Sequence, residues 1–314
     1  MDLQGLLFFP VTPFANDGSV DVDLLARHVA DGVAAGAASV FAACGTGEFH
    51  ALTVAEVIEV GTVAVEAAAG RVPVLVGTGG SVAAAIETAR GLGRAGAEGL
   101  LLLPPYLILA SERGLVDYVS QIAASSPIPV IVYQRSGMIF SPDVVVELAK
   151  LPNVIGLKDG VGDLTRMQAT VSAVRAAGFD SFMFFNGLPT AEVSMRAYRA
   201  VGVPLYSSAV FAFAPDIALA FYRAFAADDD ETLEWLLREF FIPFTRIRDR
   251  QLGYHVSLVK AAASVDGRPL GPVRAPLTAP LAADLDDLRN LLATARTALE
   301  ERSLVAGDAT GAHA

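Results

Sequence analysis

The sequence predicts a single (β/α)8 barrel followed by a C-terminal helical extension. Eight short apolar runs alternate with longer amphipathic stretches over the first 228 residues. Each run is nearly continuous in apolar character, which is typical of parallel strands that are covered on both faces. A doubly wound sheet shares this alternation, but the count of eight and the absence of an early dinucleotide-binding glycine pattern favour the barrel.

The apolar runs and the helix-start signals between them give the order of the elements. Thr53 and Glu56 have the spacing of a capping box, in which a hydroxyl and a carboxylate satisfy reciprocal backbone donors. Ser141 precedes Pro142, and proline is favoured at the first position of a helix. The predicted strands span residues 5–11, 39–43, 72–76, 99–103, 128–133, 154–157, 181–185 and 203–207.

After residue 228 the apolar runs stop and only helical patterns follow. We expect helices over 230–250, 255–265 and 283–302, with a segment rich in proline and glycine, 267–280, before the last one. We interpret residues 1–228 as a catalytic barrel and residues 229–303 as a helical extension that packs on it. Residues 304–314 are mostly small and polar, and we predict a disordered tail there.

Composition and charge argue against several classes of protein. Hydrophobic residues make up 53% of the 314-residue chain and charged residues 18%, which provides a large core and argues against global disorder. The net charge of −11 argues against a nucleic-acid binder, which needs a basic face. The most apolar stretch, residues 99–110, contains two prolines and is shorter than the ~20 residues of a membrane helix. We therefore expect neither nucleic acid nor a membrane as a partner.

Cysteine usage and the first residues indicate where the protein works. Cys44 is the only cysteine, so no intramolecular disulfide can form, which suits a reducing compartment. The first residues lack the basic flank of a signal peptide. We therefore expect a cytoplasmic protein.

Lys158, directly after the sixth apolar run, is the first candidate for a catalytic residue. The chain has three lysines and twenty arginines, so its cationic groups are mostly guanidinium groups. An amine can lose its proton and attack a carbonyl, which a guanidinium cannot do at neutral pH. From this residue alone, an exposed lysine that caps a strand stays an open alternative.

Two further side chains follow other predicted strands, and such strand ends meet at one mouth of a barrel. Tyr133 ends the fifth apolar run, and Thr46 lies in the turn Gly45-Thr46-Gly47 after the second. Burial disfavours the ammonium form and lowers a lysine pKa from its usual ~10.4. The free amine can form an imine with a ketone, while the phenol carries protons and Thr46 relays them or holds a carboxylate. This convergence favours a catalytic Lys158.

Other candidates keep ordinary structural interpretations beside functional ones. The glycine-rich turn is a weak signal alone, because glycines after a strand are common turn residues. Arg135, after the fifth strand, fits a structural ion pair as well as a substrate carboxylate, and Cys44 fits a small buried position. The histidines are too scattered to predict a metal site. They are His28, His50, His255 and His313.

In this order, the strand-end motifs resemble those of the dihydrodipicolinate synthase/N-acetylneuraminate lyase family, whose members are Schiff-base-forming barrels. The resemblance covers roughly residues 5 to 300. The Gly-Thr-Thr-Gly-Glu loop of that family is similar to Cys44-Gly45-Thr46-Gly47-Glu48 here. The family's phenol after strand five corresponds to Tyr133, and its imine-forming lysine to Lys158.

Several positions depart from the amino-acid-biosynthesis branch of the family. Gly45 replaces the first threonine of the loop, and Leu107 follows Tyr106 where that branch usually has a second tyrosine. Residues 45–49, 101–106, 132–135, 158–163, 187–192 and 206–211 instead resemble the subgroup of 5-dehydro-4-deoxyglucarate dehydratases. The resemblance implies a decarboxylating dehydration of a sugar diacid that yields 2,5-dioxopentanoate, water and CO2.

The same resemblance implies which residues act and what they bind. It implies catalytic roles for Lys158, Tyr133 and Thr46, with the covalent imine in place of any cofactor or metal. The family habit implies a homodimer or homotetramer. Substrate contacts are expected from Gly45, Gly47, Arg135, Asn186, Gly187, Ser207 and Ser208.

Alternatives of two kinds stay open. A 2-keto-acid aldolase or lyase, or a dihydrodipicolinate synthase-like enzyme, would use the same scaffold and the same lysine. A non-catalytic sugar-acid sensor or a phosphate-binding isomerase would use the barrel without an imine.

Overall fold

The computed structural model describes residues 3–264 and 269–311, with side chains up to Arg302. Eight parallel strands, paired in sequence order, form a closed barrel, because β1 pairs with both β2 and β8. The predicted (β/α)8 barrel is therefore confirmed. The strands are β1 (Leu7–Phe8), β2 (Ser39–Ala42), β3 (Val74–Thr78), β4 (Gly99–Leu102), β5 (Val130–Gln134), β6 (Val154–Asp159), β7 (Met183–Asn186) and β8 (Leu205–Ser208).

A helix follows each strand, and the predicted start signals are found where expected. Thr53 and Glu56 make both hydrogen bonds of a capping box. Pro142 occupies the first turn of its helix, although the Ser141 side chain makes no capping hydrogen bond. The barrel helices are α1 (Val22–Ala35), α2 (Val54–Ala68), α3 (Val82–Ala95), α4 (Glu112–Ser125), α5 (Pro142–Ala149), α6 (Leu164–Ala176), α7 (Met195–Ala200) and α8 (Pro215–Ala226).

The sixth strand is longer than the sequence pattern predicted. The apolar run ends at residue 157, but β6 continues through Lys158 and Asp159, which pair with Tyr133 and Gln134 of β5. Charged side chains at buried strand positions end an apolar run without ending the backbone ladder. Lys158 therefore lies inside a strand rather than after it, directly opposite Tyr133.

The core has two layers, which follow from the alternation of side chains along each strand. One layer lies between the strands and the helices. The other fills the barrel interior and includes Phe9, Phe41 and Phe185, with the rings of Phe9 and Phe41 stacked at 4.6 Å between centroids. Tyr133 and Cys44 belong to this inner layer, so the floor of the barrel mouth is apolar.

Helices after residue 228 form the predicted extension. They are α9 (Asp230–Leu236), α10 (Ile242–Arg248), α11 (Tyr254–Ala263) and α12 (Ala282–Gly311), and a π-helical turn, Leu237–Phe241, joins α9 to α10. The predicted helix 255–265 includes residue 265, which lies outside the described residues. The backbone of α12 continues through residues 304–311, which were predicted as a disordered tail, and residues 312–314 of that tail are not among those described.

The boundary at residue 228 falls between α8 and α9, and the division into a barrel and an extension stays a prediction. Among the described residues, no helix has both the length and the apolar character needed to cross a bilayer.

Candidate active site

A cavity of about 250 Å³ opens at the carboxyl-terminal mouth of the barrel. Lys158 and Tyr133 line it, together with Gly45 and Thr46 from the turn after β2. The extension completes the wall with His255, Val256 and Leu277. A cavity of about 340 Å³ beside α1 is larger, but it lies outside the mouth and has no lysine in its wall.

Lys158 is a buried amine whose surroundings are aromatic. Its side chain is 6% exposed, and its Nζ lies 4.0 Å from the ring centroid of Phe9 and 4.5 Å from that of Tyr133. Among the described residues, no carboxylate forms an ion pair with it. Loss of hydration on burial is the main reason why the pKa of Lys158 is lowered to about 7; Cys44 opposes this shift and the positive charge of Arg135 adds to it. A large share of free amine is present at neutral pH.

Tyr133 lies beside Lys158 and is held by the loop after β7. Its phenol donates a hydrogen bond of 2.9 Å to the carbonyl oxygen of Gly187, and Nη1 of Arg135 lies 3.5 Å from its oxygen. Burial raises the pKa of Tyr133, although Arg135 opposes the shift. The phenol is therefore protonated at neutral pH and can donate a proton.

Two glycines make room for these side chains. A Cβ on Gly187 would lie 2.6 Å from Cε of Lys158, and a Cβ on Gly160 would lie 2.8 Å from the Tyr133 ring. Real Cβ atoms do not approach this closely. Glycine at each position therefore lets the neighbouring loop pass directly over Lys158 or Tyr133.

In the turn after β2, some residues line the cavity and one supports them from behind. Gly45 and Thr46 line the cavity. Gly47 is buried behind them, where its carbonyl oxygen accepts a hydrogen bond of 2.7 Å from Thr12. Within the described part of the chain, no hydrogen bond joins Thr46 to Tyr133. Thr46 therefore faces the cavity, but no hydrogen bond is in place to pass a proton between it and Tyr133.

Three of the expected substrate contacts are used elsewhere in the protein. Besides Gly47, these are Asn186 and Ser208, and both are completely buried. The Asn186 amide donates to Ala191 and Ser194, which shapes the loop after β7. The Ser208 hydroxyl donates to Glu192 at 2.6 Å. The polar groups of these residues have protein partners, whereas Arg135, Gly187 and Ser207 line the cavity, and the substrate contacts stay predictions.

Sequence reasoning missed two histidines of the cavity wall. His50 follows β2, and His255 lies in the first turn of α11, about 200 residues later in the chain. The scatter of the histidines along the chain argues only against a metal site, and local sequence carries no signal that brings these two together. They join Arg135, whose guanidinium is charged, and no carboxylate lines the described wall; burial lowers the pKa of His255. This wall suits an anionic ligand.

Asp159 is another residue that the sequence did not single out. It follows Lys158 in β6, so its side chain points to the opposite face, toward the helices. Its carboxylate accepts hydrogen bonds from Gln134 at 2.8 Å, from the Tyr198 hydroxyl and from the backbone N–H of Gly162. It thereby ties β5, β6 and α7 together behind Lys158.

The fold and the cavity together define a class of protein: a (β/α)8 barrel enzyme with a desolvated amine at the active mouth. The chain belongs to the dihydrodipicolinate synthetase family, whose model matches residues 2–295. This agrees with the resemblance inferred from the motifs.

Two relatives that match nearly the whole chain share the name 5-dehydro-4-deoxyglucarate dehydratase. The chain is 52% identical over 310 residues to the probable 5-dehydro-4-deoxyglucarate dehydratase of Streptomyces griseus, and the match covers 98% of this chain and 97% of that protein. It is 46% identical over 290 residues to the 5-dehydro-4-deoxyglucarate dehydratase of Pseudomonas putida, with 92% and 94% covered.

Solved structures of the family superpose on the chain at lower identity. Dihydrodipicolinate synthase from Oceanobacillus iheyensis matches with a TM-score of 0.85 and 26% identity, over 93% of this chain and 96% of that one. YagE of Escherichia coli, a family protein whose structure is in complex with pyruvate, matches with a TM-score of 0.83 and 26% identity, over 93% and 99%.

Proposed function

We propose that this protein is a lyase that dehydrates and decarboxylates 5-dehydro-4-deoxy-D-glucarate to 2,5-dioxopentanoate, water and CO2. The observation that carries the chemistry is the buried Lys158 amine, which has no carboxylate partner in the described residues and lies beside Tyr133. The choice of substrate is supported by the shared name of relatives that match nearly the whole chain.

The dehydration and the decarboxylation both need a group that accepts electrons, and one imine can serve both steps. The Lys158 amine adds to the C5 ketone and water leaves, which forms an iminium. Loss of a C4 proton gives an enamine, which expels the C3 hydroxyl as water and leaves a C3=C4 bond conjugated to the iminium. The C1–C2 bonding electrons then move toward nitrogen as CO2 departs. Protonation and hydrolysis release 2,5-dioxopentanoate and restore the Lys158 amine. The imine therefore takes the place of a cofactor.

Tyr133 and Thr46 are the residues that we propose move protons. The phenol is protonated at neutral pH, so it can donate to the departing hydroxyl and later accept the proton back. Thr46 faces the same cavity and supports this exchange or binds the carboxylate next to the ketone, together with the N–H groups at Gly45.

The far carboxylate of the diacid has a wall of hydrogen-bond donors to bind. Arg135 can hold both oxygens of a carboxylate with its planar fork. His50 and His255 extend this wall, and Ser207 offers a hydroxyl beside it. Val256 and Leu277 make the adjoining wall apolar, and poor hydration favours loss of CO2 from a carboxylate.

Incubation with 5-dehydro-4-deoxyglucarate tests the reaction directly. We expect stoichiometric CO2 and 2,5-dioxopentanoate, and borohydride should trap an adduct whose mass maps to Lys158. Release of pyruvate without CO2 would indicate an aldolase on the same scaffold. Absence of any adduct with a cognate keto acid would contradict the Schiff-base mechanism, and leave a sensor or an isomerase as the better interpretation.

We also propose that the protein acts as a homodimer or homotetramer in the cytoplasm. The loop after β4 is the supporting observation, because Leu107 and Leu109 are 86% and 85% exposed and Tyr106 and Ile108 extend the same apolar surface. Exposed apolar patches of this kind mark protein contacts. A second copy of the chain would cover them.

A further inference from the structure

Glu48, the residue directly after the turn that lines the cavity, is buried, and its carboxylate is held by the C-terminal extension. Its Oε1 lies 2.8 Å from Nζ of Lys260 in α11, and its Oε2 accepts a hydrogen bond of 2.9 Å from the backbone N–H of Arg274. Both side chains of the ion pair are buried, at 0% exposure for Glu48 and 1% for Lys260. The pair joins positions 212 residues apart.

The surroundings fix the Lys260 end of this ion pair. Nζ of Lys260 also donates 2.7 Å to the carbonyl oxygen of Pro272 and lies 4.0 Å from the ring centroid of Phe14. The Arg274 guanidinium lies 4.1 Å from the same centroid and donates to Glu56 in α2. Phe14 therefore packs against two cations, and the barrel and the extension meet there.

The backbone of Glu48 has a conformation that glutamate disfavours, so contacts with other residues must hold it. Glu48 has φ 58° and ψ 39°, in the left-handed region that side chains other than glycine, asparagine and aspartate rarely adopt. Such a conformation persists only where the surrounding contacts determine it. Lys260 and the Arg274 backbone hold the carboxylate of Glu48, while its backbone N–H donates to the Gly45 carbonyl and its carbonyl accepts from the Ala51 N–H.

Stability alone does not account for a pair of this kind. Burying two charges loses their hydration, and apolar residues of similar volume often replace such pairs without loss. A buried pair does, however, fix one geometry. Here the fixed element is the turn whose Gly45 and Thr46 line the cavity.

We propose that Glu48 and Lys260 are positioning residues for substrate binding: the ion pair holds the Gly45–Thr46 turn in the conformation that receives the carboxylate next to the reacting ketone. The extension thus shapes the carboxylate site through a residue that does not touch the substrate. This inference rests on the proposed function, because it takes the turn as the carboxylate site and Lys158 as the imine-forming residue.

Borohydride trapping on Lys158 with two ketones of similar size tests the proposal. Pyruvate has the carboxylate and hydroxyacetone lacks it, and both form an imine with release of water that hydride then reduces to a stable amine. In Lys260→Met we expect the trapping rate with pyruvate at low concentration to fall roughly 10- to 100-fold, because misplacing a binding group by about 1 Å has such effects. Trapping with hydroxyacetone should stay within about twofold of the wild-type rate.

The matched control is Arg250→Met, which breaks another ion pair of the extension, with Asp284, away from the turn. It should lower stability without changing the pyruvate-to-hydroxyacetone ratio. If Lys260→Met does not fold, the double variant Glu48→Gln with Lys260→Met removes both buried charges and supports the same comparison.

The outcomes separate the two proposals. An unchanged ratio in the folded variant would overturn the positioning role while leaving the Schiff-base function intact. An equal loss with both ketones would also overturn it, since that result indicates damage to Lys158 rather than to the carboxylate site. No adduct on wild-type Lys158 with either ketone would contradict the proposed function itself.

Discussion

The three lysines of this chain occupy three different environments, and only one of these suits a nucleophile. Lys150 is exposed at the end of α5. Lys260 is buried but paired with Glu48, and Lys158 is buried without a carboxylate partner in the described residues. Burial lowers the pKa of both buried amines, but for Lys260 the hydrogen bond and charge of Glu48 oppose the shift. An unpaired buried amine is the one that is free to react.

Replacing Lys158 with methionine should abolish turnover and stabilise the fold. The pKa of Lys158 falls from its usual 10.5 to about 7 on folding, so below pH 10.5 the unfolded chain binds the proton more tightly and stability is lost as the pH falls toward 7. Lys158→Met removes this loss, and we expect a gain of roughly 3–5 kcal/mol in the free energy of unfolding at pH 7. Urea denaturation at pH 7 and pH 10 measures it, and the gain should shrink at the higher pH. Lys150→Met is the control and should change neither property.

The pH dependence of kcat/KM should report the same amine. The free amine is the reactive form, so activity should decline as the pH falls below about 7. The charge of Arg135 helps to lower the pKa of Lys158, so Arg135→Gln should move this acidic limb to higher pH. An acidic limb that keeps its position in Arg135→Gln would contradict that electrostatic coupling. Arg135→Gln should also weaken binding of the diacid. Borohydride trapping with pyruvate, measured across pH, separates the change in the pKa of Lys158 from that weaker binding.

At the scale of elements, the mouth of the barrel is built by loops that pass very close to β6. The register places Lys158 between Tyr133 of β5 and Phe185 of β7. The loop after β7 then crosses above it, where the Gly187 backbone N–H donates to the Asp159 carbonyl at 2.7 Å. The loop also accepts the Tyr133 hydrogen bond, so one short segment orients both reactive side chains.

Gly187→Ala should impair catalysis more than folding. The added Cβ would lie 2.6 Å from Cε of Lys158, so either the lysine or the loop must shift. We expect kcat to fall roughly 100-fold or more, since about 1 Å of displacement at a reacting group has that effect. Gly114→Ala in α4 is the control, because its Cβ would meet nothing closer than 3.7 Å. A Gly187→Ala protein with wild-type kcat would show that Lys158 tolerates the displacement.

At the scale of the whole molecule, the extension is part of the mouth as well as of the fold. It supplies His255 and Leu277 to the cavity wall and Lys260 to the turn after β2. Arg248 of α10 also donates to the Pro189 carbonyl and the Thr190 hydroxyl, in the loop after β7. Loops on two sides of the cavity are therefore held by helices that lie outside the barrel sequence.

Disrupting the apolar loop after β4 should change the assembly. Leu107→Lys with Leu109→Lys places two charges on a surface that we expect another copy to cover, and burying unpaired charge opposes association. Light scattering should show a shift from the assembled form toward the monomer. Leu252→Lys, at another fully exposed leucine outside this loop, is the control. A variant with the wild-type mass would place the interface elsewhere.

The strand count, the barrel class and the end of the barrel at which Lys158 and Tyr133 lie all follow from local sequence. Apolar runs of strand length are a local property, and parallel strands bring their carboxyl ends to one mouth whatever else the chain does. Lys158 and Tyr133 could therefore be placed before any coordinates, and family membership was inferred correctly from the motifs around them.

Only the tertiary structure decided which polar groups face the cavity. Asn186 and Ser208 stand at strand ends like Ser207, yet their hydrogen bonds are made inside the protein, because side chains one residue apart point to opposite faces and find different partners. His255 and Lys260 come from the extension, about 200 residues beyond the turn that they approach. Contacts over such separations depend on how the extension packs on the barrel, which no local periodicity encodes.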